Sequence, residues 1–249
     1  TRLRVRVRTS RLGYLASAGK RNLPRALREN FRHKNKTTKR KGHCCYDAKG
    51  KTGDLEKIFM NRATAHVFKQ HRASSGSYRA FVLDTRAWQS TRALPFGARV
   101  FAAQHDPLEH GLMVLSRPKC VSDLVLAEAI SREGTPQNPL DVDVLDFCRT
   151  WGTDKAVVYS RFKQGLYVPG TVVRLTVATR TSLPGPRINW INEIVGDVTR
   201  WAVEHGLGVT FVPVSQWGPE AARWSIAHTR SLVYEYGRMY NMIFVVRKE

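Results

Sequence analysis

The stretch from Tyr78 to Pro107, YRAFVLDTRAWQSTRALPFGARVFAAQHDP, constrains the chain more than any other. Tyr78, Ala80, Phe81, Val82 and Leu83 form a short apolar run that stops at Asp84. Such a run, closed by an acid, predicts a strand buried on both faces of a parallel sheet. Polar residues then lead to Ser90, Thr91 and Arg92, where Ser90 or Thr91 can cap a short helix that stops near Pro95 and Gly97. A second apolar run, Ala98 to Ala103, ends in Gln104, His105, Asp106 and Pro107. The pattern is strand, helix, strand, with polar groups at both strand ends.

Open α/β sheets bind ligands in the crevice at the carboxyl ends of their strands. Asp84 and Asp106 stand on that rim, where one carboxylate can hold a ribose and the other a charged or amide-bearing ligand. The alternative is that each Asp only ends its strand and caps the helix that follows.

The flanking segments extend the same alternation. Asp54 to Gln70 carries Leu55, Ile58, Phe59, Ala63, Val67 and Phe68 at helical spacing, after a loop that reaches Gly53. Cys120 to Arg132, with Leu124, Leu126, Ala127 and Ile130, predicts an amphipathic helix ended by Gly134 and Pro136. Asp141 to Cys148 predicts a strand with Asp146 at its carboxyl end, Asp154 to Leu166 a helix, and the β-branched run Gly170 to Thr181 another strand. Asn189 to His205 predicts a long helix, Gly208 to Val214 a strand, and Ser231 to Tyr236 with Tyr240 to Arg247 a hairpin around Gly237. Trp217 and Trp224, in the connection between them, suit a core better than a base-stacking site. At 249 residues and 42% apolar content the chain can bury a substantial core.

Charge divides the chain into two parts. The formal net charge is +21, and residues 1–53 hold 17 basic and two acidic residues, so +15 of it lies in a basic arm ahead of an α/β domain over 54–249. An anionic polymer is the partner such a balance implies. Thr1 to Ser10, TRLRVRVRTS, alternates Arg with apolar residues, and an extended arm lying on phosphates accounts for it better than an unpaired edge strand. Arg2, Arg4, Arg6, Arg8, Arg11, Lys34, Lys36, Lys39, Arg40 and Lys41 are the expected phosphate contacts, with Tyr14, Phe31, His33 and Tyr46 placed to stack on bases. A solvated basic tail is the bland account of the same residues.

Cys44, Cys45, Cys120 and Cys148 do not follow zinc-ligand spacing, so no metal is expected, and reduced thiols inside a cell explain them most simply. No apolar stretch approaches the roughly 20 residues of a membrane span. The Arg-rich start, with no acid before Glu29, has the composition of an organellar presequence or of a mature end exposed after one was removed, and the expected location is intracellular, with a mitochondrion as one candidate.

The order of elements resembles the plan of class I S-adenosylmethionine-dependent methyltransferases. The strings VLDTRAWQSTRAL, RVFAAQHDP, DVLDFCRTW and GTVVRLTVATRTS carry the likeness over about residues 55–249. It implies a Rossmann-like sheet, mostly parallel, with an antiparallel strand from the C-terminal hairpin. It also implies S-adenosylmethionine as cofactor, with Asp84 and Thr85 under its methionine part and Gln104, His105 and Asp106 at its ribose or adenine. Asp146, Phe147 and Cys148 would then line the methyl-transfer site. In place of the family's glycine-rich loop this chain has Thr85, Arg86, Ala87 and Trp88. Two functions follow: an RNA-binding component of a ribonucleoprotein, such as an organellar ribosome or its assembly intermediate, held among other proteins, or an active RNA or DNA methyltransferase. The antiparallel last strand separates this plan from other doubly wound sheets.

Overall fold

The computed structural model describes residues 51–71, 76–85, 88–104, 106–126, 138–147, 149–178, 187–219, 221, 232–236 and 239–249. All of them fall in one compact unit, Tyr46–Glu249. The expected arm contacts from Arg2 to Lys41, with His105 and Cys148, lie outside the described residues.

In chain order the elements are α1 (Lys51–His71), β1 (Tyr78–Leu83), α2 (Gln89–Ala93), β2 (Ala98–Gln104), α3 (Pro107–Leu115), β3 (Val121–Leu126), β4 (Leu140–Asp146), α4 (Trp151–Lys163), β5 (Tyr167–Ala178), α5 (Arg187–Glu204), β6 (Leu207–Phe211), β7 (Tyr234–Tyr236) and β8 (Met239–Lys248). The strands form one sheet in the order β3-β2-β1-β4-β5-β8-β6. Pairing is parallel from β3 through β5, whereas β8 runs antiparallel to both β5 and β6. β7 pairs with β8 through Tyr236↔Met239 to Tyr234↔Asn241, completing the C-terminal hairpin. The antiparallel strand inserted between two others is the feature expected of the methyltransferase plan.

Alternation along the strands feeds two cores, one on each face. Ala80, Val82, Val142, Val144, Val172 and Ile243 pack under Phe59, Ala63, Val67 and Phe68 of α1, with Trp88, Met113 and Trp217. On the other face Phe81, Leu145, Val173, Leu175 and Phe244 pack under Val158 and Phe162 of α4 and Ile194, Val198 and Trp201 of α5. Each large side chain so buried stabilises the fold by about 1.5–3 kcal/mol. Trp217 is in the core, as its position in a long connection suggested.

Four local expectations need correction. α1 begins at Lys51, inside the segment read as loop up to Gly53. Val121–Leu126 is strand β3, not the first half of a helix from Cys120, because its backbone pairs with β2 from Val100↔Val121 to Gln104↔Leu126. A helix absent from the sequence reading, α3, follows β2: Pro107 sits in its first turn and Asp106 caps it, accepting from Leu108 N at 2.8 Å and Glu109 N at 3.3 Å. Finally, neither Ser90 nor Thr91 caps α2. Both are buried within it, and the cap position belongs to Trp88, with no side-chain cap bond.

A candidate cofactor crevice and the charges that line it

From β1 the chain steps outward through β2 to β3, then returns to the other side of β1 for β4. That reversal makes β1 and β4 the topological switch point, where an open α/β sheet forms its ligand crevice. Asp84, Gln104, Asp106 and Asp146 all stand at this carboxyl edge, so the fold gathers the expected rim. Their partners differ.

Asp84 is 4% exposed and serves the backbone. Its Oδ1 accepts from Thr85 N at 2.9 Å and its Oδ2 from Thr91 N at 2.8 Å, tying β1 to the first turn of α2. Between them Trp88 adopts left-handed backbone angles (φ 53°, ψ 35°), which cost a bulky residue roughly 1–3 kcal/mol. Complete burial of its indole, with Nε1 donating to Ser116 Oγ at 3.1 Å, offsets that strain. In place of a glycine-rich loop the chain has at this point a tryptophan whose ring is packed in the core.

Gln104 turns inward. Its Nε2 donates to the Asp84 carbonyl at 2.9 Å and its Oε1 accepts from Asp106 N at 3.2 Å, clamping the ends of β1 and β2 together. Asp106 is half-buried and uses Oδ1 for both cap bonds. Among the described residues none donates to its Oδ2, so a second lone-pair face of this carboxylate is available beside the crevice.

Asp146 lies under α1. Its Oδ2 is 3.4 Å from Lys57 Nζ and 3.7 Å from a terminal nitrogen of Arg174 on β5. Side-chain exposure of the three is 6%, 6% and 1%, so this is a buried charge cluster. Arg174 extends it to Asn61 on α1 and to Ser90 Oγ at 3.5 Å. Beside it Thr176 donates to Asn241 Oδ1 at 2.9 Å, carrying the polar row to β8. Phe147 is in the α4/α5 core with its amide on Thr176 O at 2.9 Å, so its ring does not face the rim. Sequence reasoning missed Lys57, Asn61 and Arg174. A Lys and an Asn on the buried face of a predicted helix, and an Arg within a β-branched strand, were the available signals.

At the carboxyl end of β5 a cleft opens between α4 and α5. Thr150, Trp151, Ala178, Trp190, Glu193 and Tyr240 line it. Lys155 holds Glu193 and Asp197 at 3.4 Å each; burial lowers its pKa, but the charge of Asp197 and its hydrogen bonds prevail and raise it.

No protein-family model matches the chain, and no curated protein matches it in sequence. Solved structures do. The plantazolicin methyltransferase BamL, solved with a triazolic desmethylPZN analog and SAH, aligns at a TM-score of 0.50 and 11% identity over 80% of this chain and 87% of that one. Trm5b from Pyrococcus abyssi aligns at 0.45 and 14% identity over 74% of this chain, which spans about half of Trm5b (49%). A methyltransferase from Pyrococcus furiosus aligns at 0.44 and 11% identity, over 80% of this chain and 100% of that one. The domain has the fold of class I S-adenosylmethionine-dependent methyltransferases.

Proposed function

We propose that the chain is an S-adenosylmethionine-dependent methyltransferase acting on RNA that its basic arm recruits. The observation that carries the reading is Asp106, whose Oδ2 has no donor among the described residues and which stands at the carboxyl end of β2 in a sheet of methyltransferase order. A ribose presents two adjacent hydroxyls, and a carboxylate fixed by two backbone amides is a pre-oriented acceptor for them. S-adenosylmethionine supplies an electrophilic methyl group. Asp84 and Gln104 act indirectly, by fixing the strand ends on which Asp106 stands. The +15 of residues 1–53 supports RNA as the substrate, since phosphate neutralisation dominates such binding.

A second reading is favoured by one observation: Asp84 and Asp146 are both spent on the protein's own contacts, which suits a domain that transfers nothing. In that reading the chain is an RNA-binding component of a ribonucleoprotein, such as an organellar ribosome or its assembly intermediate. The presequence-like start then belongs to a mitochondrial protein.

Transfer of labelled methyl from S-adenosylmethionine to cellular RNA separates the two. Label should enter RNA with the wild-type chain and be lost with Asp106→Ser, which keeps a capping side chain for α3 but is too short to reach a ribose. Absence of transfer from a folded chain that still binds RNA would favour the second reading.

A further inference from the structure

The amino-terminal edge of the sheet, opposite the crevice, carries side chains that the proposed activity does not use. In the turn between α2 and β2 the Phe96 ring is fully exposed, and at the end of α3 Val114 is 52% and Leu115 71% exposed. At the same edge of the sheet Arg99 is near the start of β2 and Lys119 precedes β3. The Val100 amide donates to the Cys120 carbonyl at 3.0 Å, which sets these two segments side by side. Arg117 is pinned at the same place by donating from Nε to Val121 O at 2.9 Å and from a terminal nitrogen to Ser122 O. All three cations are exposed.

The charge continues along the edge. Antiparallel β8 ends there with Arg247 and Lys248, opposite Gly208 and Leu207, and α1 ends there with Lys69 and His71. Among the described residues the acids on this edge are Asp123, Asp141, Glu204 and Glu249. Asp123 accepts its neighbour's amide, Asp141 accepts Arg79 N, and Glu204 pairs with Arg200. None is in an ion pair with Arg99, Lys119, Lys69 or Lys248.

Cations with no ion pair among the described residues, on the same edge as an exposed aromatic ring, fit a flexible polyanion whose bases can stack. A membrane surface would need a wider apolar area than one Phe and two aliphatic side chains provide. We propose that this amino-terminal rim is a second RNA-binding surface, where Arg99, Arg117 and Lys119 take the phosphates of a single strand and Phe96 stacks on a base. The identity of the polyanion rests on the RNA reading above, whereas the surface itself is independent of the arm and of the crevice.

The test is fluorescence anisotropy of a short labelled single-stranded RNA with the full chain across a salt series. Phe96→Ala should weaken binding about 5- to 150-fold, the range for one stacked base. Arg99→Ala with Lys119→Ala should lower the log–log salt slope by roughly 1.4, at about 0.7 per phosphate contact. All three side chains are exposed, so melting temperatures should not move. If both rim variants bind with wild-type affinity and slope while replacing Arg2, Arg4, Arg6 and Arg8 by Gln abolishes binding, the rim proposal fails and the RNA reading stands. If the wild-type chain binds no RNA, both fail. If Phe96→Ala instead abolishes binding to phosphatidylserine vesicles and leaves RNA affinity unchanged, the rim is a membrane surface and the proposal is overturned.

Discussion

Asp143 and Asp146 lie on the same strand, point to opposite faces of the sheet, and have different roles. Asp143 is fully buried in the middle of β4, where its Oδ2 accepts from Tyr167 OH at 2.8 Å and lies 3.4 Å from Arg161 Nε. The Arg161 guanidinium sits 4.3 Å above the Phe81 ring and is itself wholly enclosed. Burial pushes the Asp143 carboxyl up, with Arg161 and the Tyr167 hydroxyl opposing. Burial first, and then the charge of Asp143, pushes the Tyr167 hydroxyl well up. Asp146 instead ends the strand, at the edge where a ligand would approach, and meets Lys57 and Arg174. Depth along a strand thus separates a charge that locks α4 to the sheet from one at the carboxyl rim. In this chain even the rim charge is drawn into the fold.

The largest expected effect is at the deeper site. Asp143→Ala leaves the Arg161 cation enclosed without a counter-charge, and urea unfolding should show a loss of about 3–5 kcal/mol. Replacing the pair together, Asp143→Leu with Arg161→Met, should recover most of that loss, since an apolar pair of similar volume carries no desolvation penalty. Failure of the double variant to recover would mean that the pair specifies the packing of α4 rather than merely tolerating burial.

At the edge the effect should be smaller. Asp146→Asn keeps the shape and one acceptor while removing the charge that faces Lys57 and Arg174, for a loss of about 1–3 kcal/mol in the same assay. A loss as large as that at Asp143 would erase the distinction between the two positions.

The smallest effect concerns pH. His71 is held below its ordinary value of 6.5 by partial burial and then by the charge of Arg247, so the folded chain prefers the neutral ring. Between the folded value and 6.5 the unfolded chain binds more protons, and stability should therefore fall as pH drops through that window. Thermal melts on the acid and alkaline sides of this window should show a difference that His71→Gln reduces. An unchanged difference would assign the pH dependence to another group.

Much of the sheet was legible because buried parallel strands announce themselves as short apolar runs: Tyr78–Leu83, Ala98–Ala103 and the residues of β4 all did. β3 was not, since Leu124 and Leu126 followed by Ala127 and Ile130 suit a helix locally. Only the ladder to β2, a non-local partner, decides otherwise. α3 was hidden by Gly111 and the apolar end GLMVL, although Asp106-Pro107 is a cap followed by the residue best suited to open a helix. At the crevice the acids were visible but their partners were not. Nothing near Asp84 in sequence shows that it will bond the amide of Thr91, and nothing near Asp146 shows that α1 will bring Lys57 over it.

The most direct test of the account is calorimetric titration of S-adenosylmethionine into the purified full chain, with Asp106→Ser as the comparison. Micromolar binding to the wild-type chain is expected, weakened at least about tenfold, or 1.4 kcal/mol, in the variant at an unchanged melting temperature. No binding to a folded wild-type chain would contradict it. The non-glycine loop at Trp88 and the buried Asp146 cluster would then mark a domain that holds no cofactor, and the reading as an RNA-binding component would replace the enzyme reading.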